Sequence, residues 1–125
     1  MNALCFFYEN TPAAVSYTHL LADMLQDEYE DLGYVWEGVD EVAQGSSDVG
    51  SVSYCCPTLQ GYIKIADSCV NGHSREMAAA TISQEGSRAL LDGAFALADI
   101  GRRLIMEPDT LKKAWKEFNS TVKES

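Results

Sequence analysis

Two polar, glycine-containing segments hold the residues of this 125-residue chain that could do chemistry. Residues 45–50 include Ser47 and Asp48, and residues 71–76 include His73 and Arg75. His73 is one of two histidines and follows the clearest strand pattern of the sequence. Loops at strand ends expose metal ligands and catalytic groups to solvent and substrate. A catalytic zinc needs about three protein ligands, so a metal at His73 requires partners from elsewhere.

Each of these residues also has an ordinary interpretation. His73 could be a metal ligand or a general acid or base, or simply a loop histidine. Asp48 could orient a metal ligand, or it could occupy a turn or cap position. Arg75 could bind a substrate carboxylate with both guanidinium nitrogens, or it could pair with Glu76 on the surface. Ser47 lines the same segment but has no paired base that would make it a nucleophile.

The charge of the chain is concentrated in its first half. Residues 1–63 hold ten acidic and no basic residues, residues 64–125 hold nine of each, and the net charge is -10. Such a surface repels phosphate backbones and anionic lipids, so neither nucleic acid nor membrane is an expected partner. No apolar run approaches the ~20 residues of a membrane span, and no secretion signal is recognisable. With four cysteines but no export signal, we expect reduced thiols and a cytoplasmic protein.

The hydrophobic pattern predicts an α/β fold with few strands packed on about three helices. Strands are predicted at residues 4–8, 52–56 and 59–65 from short apolar or alternating runs. Helices are predicted at residues 20–32, closed by Gly33, at residues 81–106, and from Pro108 onward. For the long helix we expect a capping box of Thr81 and Gln84. Its predicted core stripe comprises Leu90, Leu91, Ala94, Leu97, Ala98, Gly101, Leu104 and Ile105.

Several motifs occur together in a recognisable order. They are Gly-Ser-Ser-Asp-Val-Gly-Ser-Val-Ser at 45–53, Cys-Pro-Thr at 56–58, His-Ser-Arg-Glu at 73–76, Ser-Gln-Glu at 83–85, and a closing stretch from Glu107-Pro108-Asp109 to Glu117-Phe118. Over residues 20–118 this order resembles the C-terminal part of the metal-dependent amidohydrolases that include aminoacylases, aminobenzoyl-glutamate hydrolases and related dipeptidases. The resemblance implies a partial zinc-peptidase-like catalytic domain.

The resemblance also implies roles for individual residues. His73 matches the last ligand of a two-metal zinc or manganese site, and Asp48 and Ser47 belong to the motif that lines that site. For Arg75 the assignment to substrate binding rests on the chemistry of its guanidinium rather than on the resemblance. The family's His-x-Asp ligand pair, its Glu-Glu pair and its inserted dimerisation domain are absent from this sequence. In the family the glutamate activates a metal-bound water that attacks an amide carbonyl. We therefore expect a C-terminal fragment of such an enzyme that acts on a small-molecule amide, is inactive alone and binds no metal alone.

The sequence divides into a leader at residues 1–19, the amidohydrolase-like segment at 20–118 and a polar tail at 119–125. The string Ala14-Val15-Ser16-Tyr17-Thr18-His19-Leu20 resembles a translated sequencing adaptor, which would make the leader non-native. A natural helix start with Thr11-Pro12 as cap and first turn is the alternative. For function, the alternative is a non-enzymatic acidic α/β interaction module. In either case uncovered apolar faces predict self-association of the isolated chain.

Overall fold

The computed structural model describes residues 2–4, 19–36, 48–66 and 70–122. Within these residues the chain is predominantly helical, and the only sheet is a pair of three-residue parallel strands. Asn2 pairs with Tyr34 and Leu4 with Trp36. In chain order the elements are β1 (Asn2–Leu4), α1 (His19–Asp31), β2 (Tyr34–Trp36), α2 (Val49–Val52), α3 (Arg75–Thr81), α4 (Gln84–Met106) and α5 (Pro108–Val122).

The first helix confirms the sequence prediction in both position and ending. Met24, Leu25 and Tyr29 recur at helical spacing and are buried, while Asp23, Asp27, Glu30 and Asp31 are exposed. Gly33 adopts a positive φ of 87°, which a side chain would strain, and its N–H donates to the carbonyl of Glu30. This left-handed residue ends α1 and turns the chain into β2.

The α/β prediction is wrong for the described residues. Residues 49–52 form the short helix α2, and turns follow at 53–55 where the sequence pattern predicted a strand. Ser53 is buried there, and its hydroxyl donates to the carbonyl of Gly50, which favours the turn over an extended backbone. Residues 59–66 contain no helix or strand. Their alternation does direct Leu59 and Ile63 onto the core, but no neighbouring strand pairs with them.

The long helix predicted at residues 81–106 is confirmed as α4, which begins at Gln84, and it is preceded by a short helix, α3, that the sequence pattern did not predict. α3 ends at Thr81 and α4 begins at Gln84, so the predicted capping box of Thr81 and Gln84 does not exist. Ser83 is the N-cap instead, and its hydroxyl accepts from the N–H of Gly86 at 2.9 Å. A Cβ atom at Gly86 would collide with the carbonyl oxygen of Ala80. Glycine at this position therefore allows the end of α3 to lie against the first turn of α4.

The core lies between α1, α4 and α5, and it uses a different face of α4 from the predicted one. The buried positions of α4 are the small residues Gly86, Ala89 and Ala96 together with Ile100. Gly86 lies against the end of α3, whereas Ala96 and Ile100 pack in the core cluster with residues of α1. The predicted stripe is exposed at most positions. In α5, Ala114 and Phe118 are buried, while Trp115 is 40% exposed. The core cluster comprises Met24, Leu25, Tyr29, Tyr34, Ala96 and Ile100.

Candidate functional site

His73 lies in a turn immediately before α3, with its side chain exposed. The next residue holds this turn in place. The Ser74 hydroxyl donates to the carbonyl of Asn71 at 2.7 Å and accepts from the N–H of Met77 at 3.0 Å. Ser74 thus caps α3 and closes the turn around His73 at the same time. The polar segment at residues 71–76 is therefore irregular only as far as Ser74, since α3 begins at Arg75.

Arg75 and Glu76 occupy the first turn of α3, and both side chains are exposed. Both belong to the described residues, and no ion pair joins them, so the ordinary interpretation of Arg75 is not realised in that form. Glu76 near a helix N-terminus is favourable because its charge complements the helix dipole. Arg75 lies two residues after His73 in the chain.

Asp48 is the N-cap residue of α2 and is exposed. Its backbone carbonyl accepts from the N–H groups of Ser51 at 3.0 Å and Val52 at 3.3 Å, while its carboxylate makes no capping hydrogen bond. Asp48 therefore occupies the predicted cap position through its backbone carbonyl, and its carboxylate does not cap the helix. Ser47 lies outside the described residues.

The two predicted halves of the site are carried by separate parts of the fold. α3 packs on α4, whereas α2 makes no extensive contact with any other described element. No hydrogen bond joins Asp48 to His73 in the described part of the chain. Convergence of these residues in one site therefore stays a prediction.

No group of three or more His, Cys, Asp or Glu side chains that could hold a metal occurs among the described residues. These residues alone do not fit the two-metal site that the resemblance implies.

The structure assembles a polar cluster that the sequence pattern did not predict. The Tyr34 hydroxyl donates to Oδ2 of Asp92, which also accepts from Nε of Arg88 at 3.3 Å. Burial, together with this hydrogen bond and the charge of Asp92, raises the pKa of Tyr34 to about 12. Only the helical spacing of Arg88 and Asp92 was visible in the sequence, because Tyr34 is distant along the chain. The cluster is internal and fastens β2 to α4.

A second ion pair ties α1 to α4. Arg103 Nη1 lies 3.1 Å from Glu28 Oε1, and both side chains are largely covered. Nearby, the guanidinium of Arg102 bonds to Asp99 at 2.8 Å and lowers the pKa of that carboxyl. Both arginines also lie near the C-terminal end of α4, where positive charge complements the helix dipole. The structure gives them specific carboxylate partners, which makes them structural residues.

The cysteines of the described residues are free thiols. Cys55 is exposed and Cys56 is half-buried. Their sulfur atoms lie 3.9 Å from the carbonyl oxygen of Ser51 and 3.7 Å from that of Val52, so each thiol is placed to donate a weak bond to the helical turn before it. Cys5 and Cys69 lie outside the described residues. Of the strand predicted at residues 4–8, only Leu4 is described, and it ends β1.

No protein-family model and no curated protein matches this chain. The resemblance to metal-dependent amidohydrolases therefore rests on the quoted motifs and their order. Within the described ranges, none of the helices is both long enough and apolar enough to cross a membrane.

Proposed function

We propose that this chain is the C-terminal portion of a two-metal amidohydrolase that cleaves an amide bond of an N-acyl amino acid, a dipeptide or an aminobenzoyl-glutamate-like substrate. His73 supplies one metal ligand, and the remaining ligands come from sequence outside these 125 residues. The observation that carries the proposal is the exposed imidazole of His73, held in a capped turn inside the motif that resembles the family's last ligand segment.

The neighbouring residues support the same proposal. Arg75 is exposed on the first turn of α3, two residues after His73, where a guanidinium can bind a substrate carboxylate. The Asp48 carboxylate is exposed and unused in capping. All three side chains are accessible to groups from a further part of the protein. A reducing, cytoplasmic location accords with the free thiols of Cys55 and Cys56.

The alternative proposal is a non-enzymatic interaction module, now helical rather than α/β. It is favoured by one specific observation, the large apolar side chains that α4 leaves exposed. The two proposals predict different coding sequences upstream of the one that encodes these 125 residues. An open reading frame that continues upstream and encodes a His-x-Asp motif and a Glu-Glu pair supports the amidohydrolase. An upstream sequence without these ligands contradicts it and favours the interaction module.

The decisive experiment uses the longer protein from that reading frame. Hydrolysis of N-acyl amino acids and aminobenzoyl-glutamate is measured by steady-state kinetics, with metal content determined for each variant. His73→Ala should abolish turnover and lower metal content, whereas the control His19→Ala removes the other histidine and should leave both unchanged. Asp48→Asn should lower activity or metal affinity about 10–100-fold if Asp48 orients a ligand. Near-normal turnover in His73→Ala would end the assignment.

A further inference from the structure

Two cysteines are adjacent in the turn that follows α2. Cys55 is exposed and Cys56 is half-buried, and both are free thiols. The sulfur of Cys55 lies 3.9 Å from the carbonyl oxygen of Ser51, and that of Cys56 lies 3.7 Å from the carbonyl oxygen of Val52. Neighbouring thiols that differ in exposure suit a redox pair, in which the accessible sulfur reacts first and its neighbour resolves the adduct.

The backbone of this turn directs the two thiols away from each other in the reduced chain. The N–H groups of Cys55 and Cys56 both donate to the carbonyl of Val52, at 2.9 Å and 3.2 Å. These bonds form a helical turn, in which successive side chains project about 100° apart. A disulfide instead requires the two Cβ atoms to lie about 3.8 Å from each other. The two sulfur atoms can therefore join only if the turn opens.

We propose that Cys55 and Cys56 form a reversible dithiol–disulfide switch, with a small disulfide such as glutathione disulfide as the oxidant. The Cys55 thiolate attacks one sulfur of the small disulfide, and one small thiol leaves. The Cys56 thiolate then attacks the Cys55 sulfur of this mixed disulfide, and the second small thiol leaves. Overall the two cysteines lose two electrons and two protons, and the small disulfide is reduced to two thiols.

A disulfide between adjacent residues is strained, and it is therefore easily reduced. The Cα atoms of adjacent residues are about 3.8 Å apart across a trans peptide, below the range of about 4.4–6.8 Å that is usual for disulfides. Strained disulfides have the more oxidising potentials and are the labile or regulatory ones. The pair is thus a dithiol under reducing conditions, as in the structure, and becomes a disulfide when the proportion of small disulfide rises.

Oxidation of the pair changes the segment that begins at Asp48. α2 spans only Val49–Val52, and its last carbonyl groups accept from the N–H groups and the thiols of the two cysteines. Cys56 precedes Pro57, a position that disfavours the helical region, so the turn cannot extend further to gain support. Opening the turn removes these donors and loosens α2 together with its N-cap Asp48. The inference does not depend on the amidohydrolase proposal, because thiol exchange needs neither a metal nor an amide substrate.

The test counts free thiols in the full 125-residue chain carrying Cys5→Ser and Cys69→Ser, which leaves only the proposed pair. The chain is equilibrated with glutathione and glutathione disulfide at a series of ratios, quenched with acid and alkylated, and its intact mass is measured. We expect the loss of both alkylatable thiols with no bound glutathione, and their return when excess glutathione is added. Non-reducing electrophoresis should show no disulfide-linked dimer.

Two single-thiol variants in the same background are the matched controls. Cys56→Ser retains Cys55, Cys55→Ser retains Cys56, and each should stop at a mixed disulfide with glutathione. Cys55 should react faster than Cys56, which is half-buried and whose sulfur also lies 3.7 Å from Thr58 Oγ1. Equal helix content by circular dichroism shows that both variants fold.

Amide hydrogen exchange followed by NMR tests the opening of the turn. Oxidation should speed exchange at the Cys55 and Cys56 amides, whereas the Gly86 amide, which donates to Ser83 in α4, should exchange as before. Two thiols that stay free at every ratio overturn the proposal, as does a pair that stops at the mixed disulfide or forms a linked dimer. An oxidised pair whose amides exchange no faster than those of the reduced chain overturns it as well.

Discussion

The hydroxyl of Tyr34 donates a 2.7 Å hydrogen bond to Oδ2 of Asp92. Tyr34 is almost fully buried, at 3% exposure, and its ring also packs against Tyr29 with a centroid distance of 5.8 Å. This bond connects β2 to the middle of α4 and aligns α4 on the core. Together with the ion pair between Glu28 and Arg103, it holds one face of α4 against the core.

Tyr34→Phe should destabilise the fold by about 1–3 kcal/mol, because it removes a bond to a charged acceptor and leaves Asp92 only its pairing with Arg88. Urea unfolding monitored by circular dichroism measures the change. Tyr54→Phe, at an exposed position, serves as the control and should change stability little. Equal stability of Tyr34→Phe and wild type would show that the bond contributes nothing net.

The same residue predicts a dependence on alkaline pH. The pKa of Tyr34 is raised to about 12 in the fold, against about 10 in an unfolded chain. Because the folded-state pKa is the higher one, the stabilisation is fully present below pH ~10 and is lost as pH rises through about 12. The stability difference between wild type and Tyr34→Phe should therefore be constant to pH ~10 and shrink above it. A difference that shrinks near neutral pH would contradict the assignment.

Glu117 of α5 caps the first turn of α1. Its two carboxylate oxygens accept from the backbone N–H groups of His19 at 2.6 Å and Leu20 at 3.2 Å. Glu117→Ala should destabilise the fold by about 1 kcal/mol through loss of this cap and of a negative charge at a helix N-terminus. Lys116→Ala is the matched control on the same helix. Thermal unfolding of both variants tests this prediction. Equal melting temperatures for Glu117→Ala and Lys116→Ala would show that the Glu117 cap does not stabilise the fold.

Glycine at position 86 should be required for the α3–α4 corner. Gly86→Ala places a Cβ atom against the Ala80 carbonyl oxygen and should destabilise by about 1–3 kcal/mol. Gly93→Ala, in the same helix, meets only the Tyr29 hydroxyl at 3.9 Å and should be neutral or stabilising by up to about 1 kcal/mol. Denaturant midpoints of the two variants give the comparison. A destabilised Gly93→Ala and a neutral Gly86→Ala would reverse the argument.

Metal binding by the isolated chain should be weak. Zinc titration calorimetry at neutral pH should show no site of micromolar or tighter affinity, because His73 lacks the further ligands that a catalytic zinc requires. His73→Ala should leave the stability of the isolated chain unchanged, since the imidazole is exposed and opens no cavity. Tight zinc binding that disappears in His73→Ala would mean that a complete site exists within these residues.

The sequence by itself determined the elements whose signals are local. α1 follows from its apolar spacing and from Gly33, and the start of α5 follows from Pro108, because the missing N–H of proline is harmless in the first turn. The concentration of acidic residues before residue 64 and the candidate residues His73, Asp48 and Arg75 were also readable without a structure. A helix start at Ser83 could have been predicted, because a serine N-cap accepts a hydrogen bond from the backbone N–H three residues later, here that of Gly86. The capping-box spacing of Thr81 and Gln84 favoured an earlier start instead.

Only the tertiary structure decided which apolar surfaces are buried and which segments become strands. α4 is apolar over more than half of its circumference, so its sequence allows several inward faces, and Tyr34, Glu28 and the helices α1 and α5 select one of them. Residues 52–56 and 59–65 carry strand-like patterns, but a strand exists only when another strand accepts its backbone hydrogen bonds. Local pattern cannot supply that partner, and the described residues provide none for these two segments.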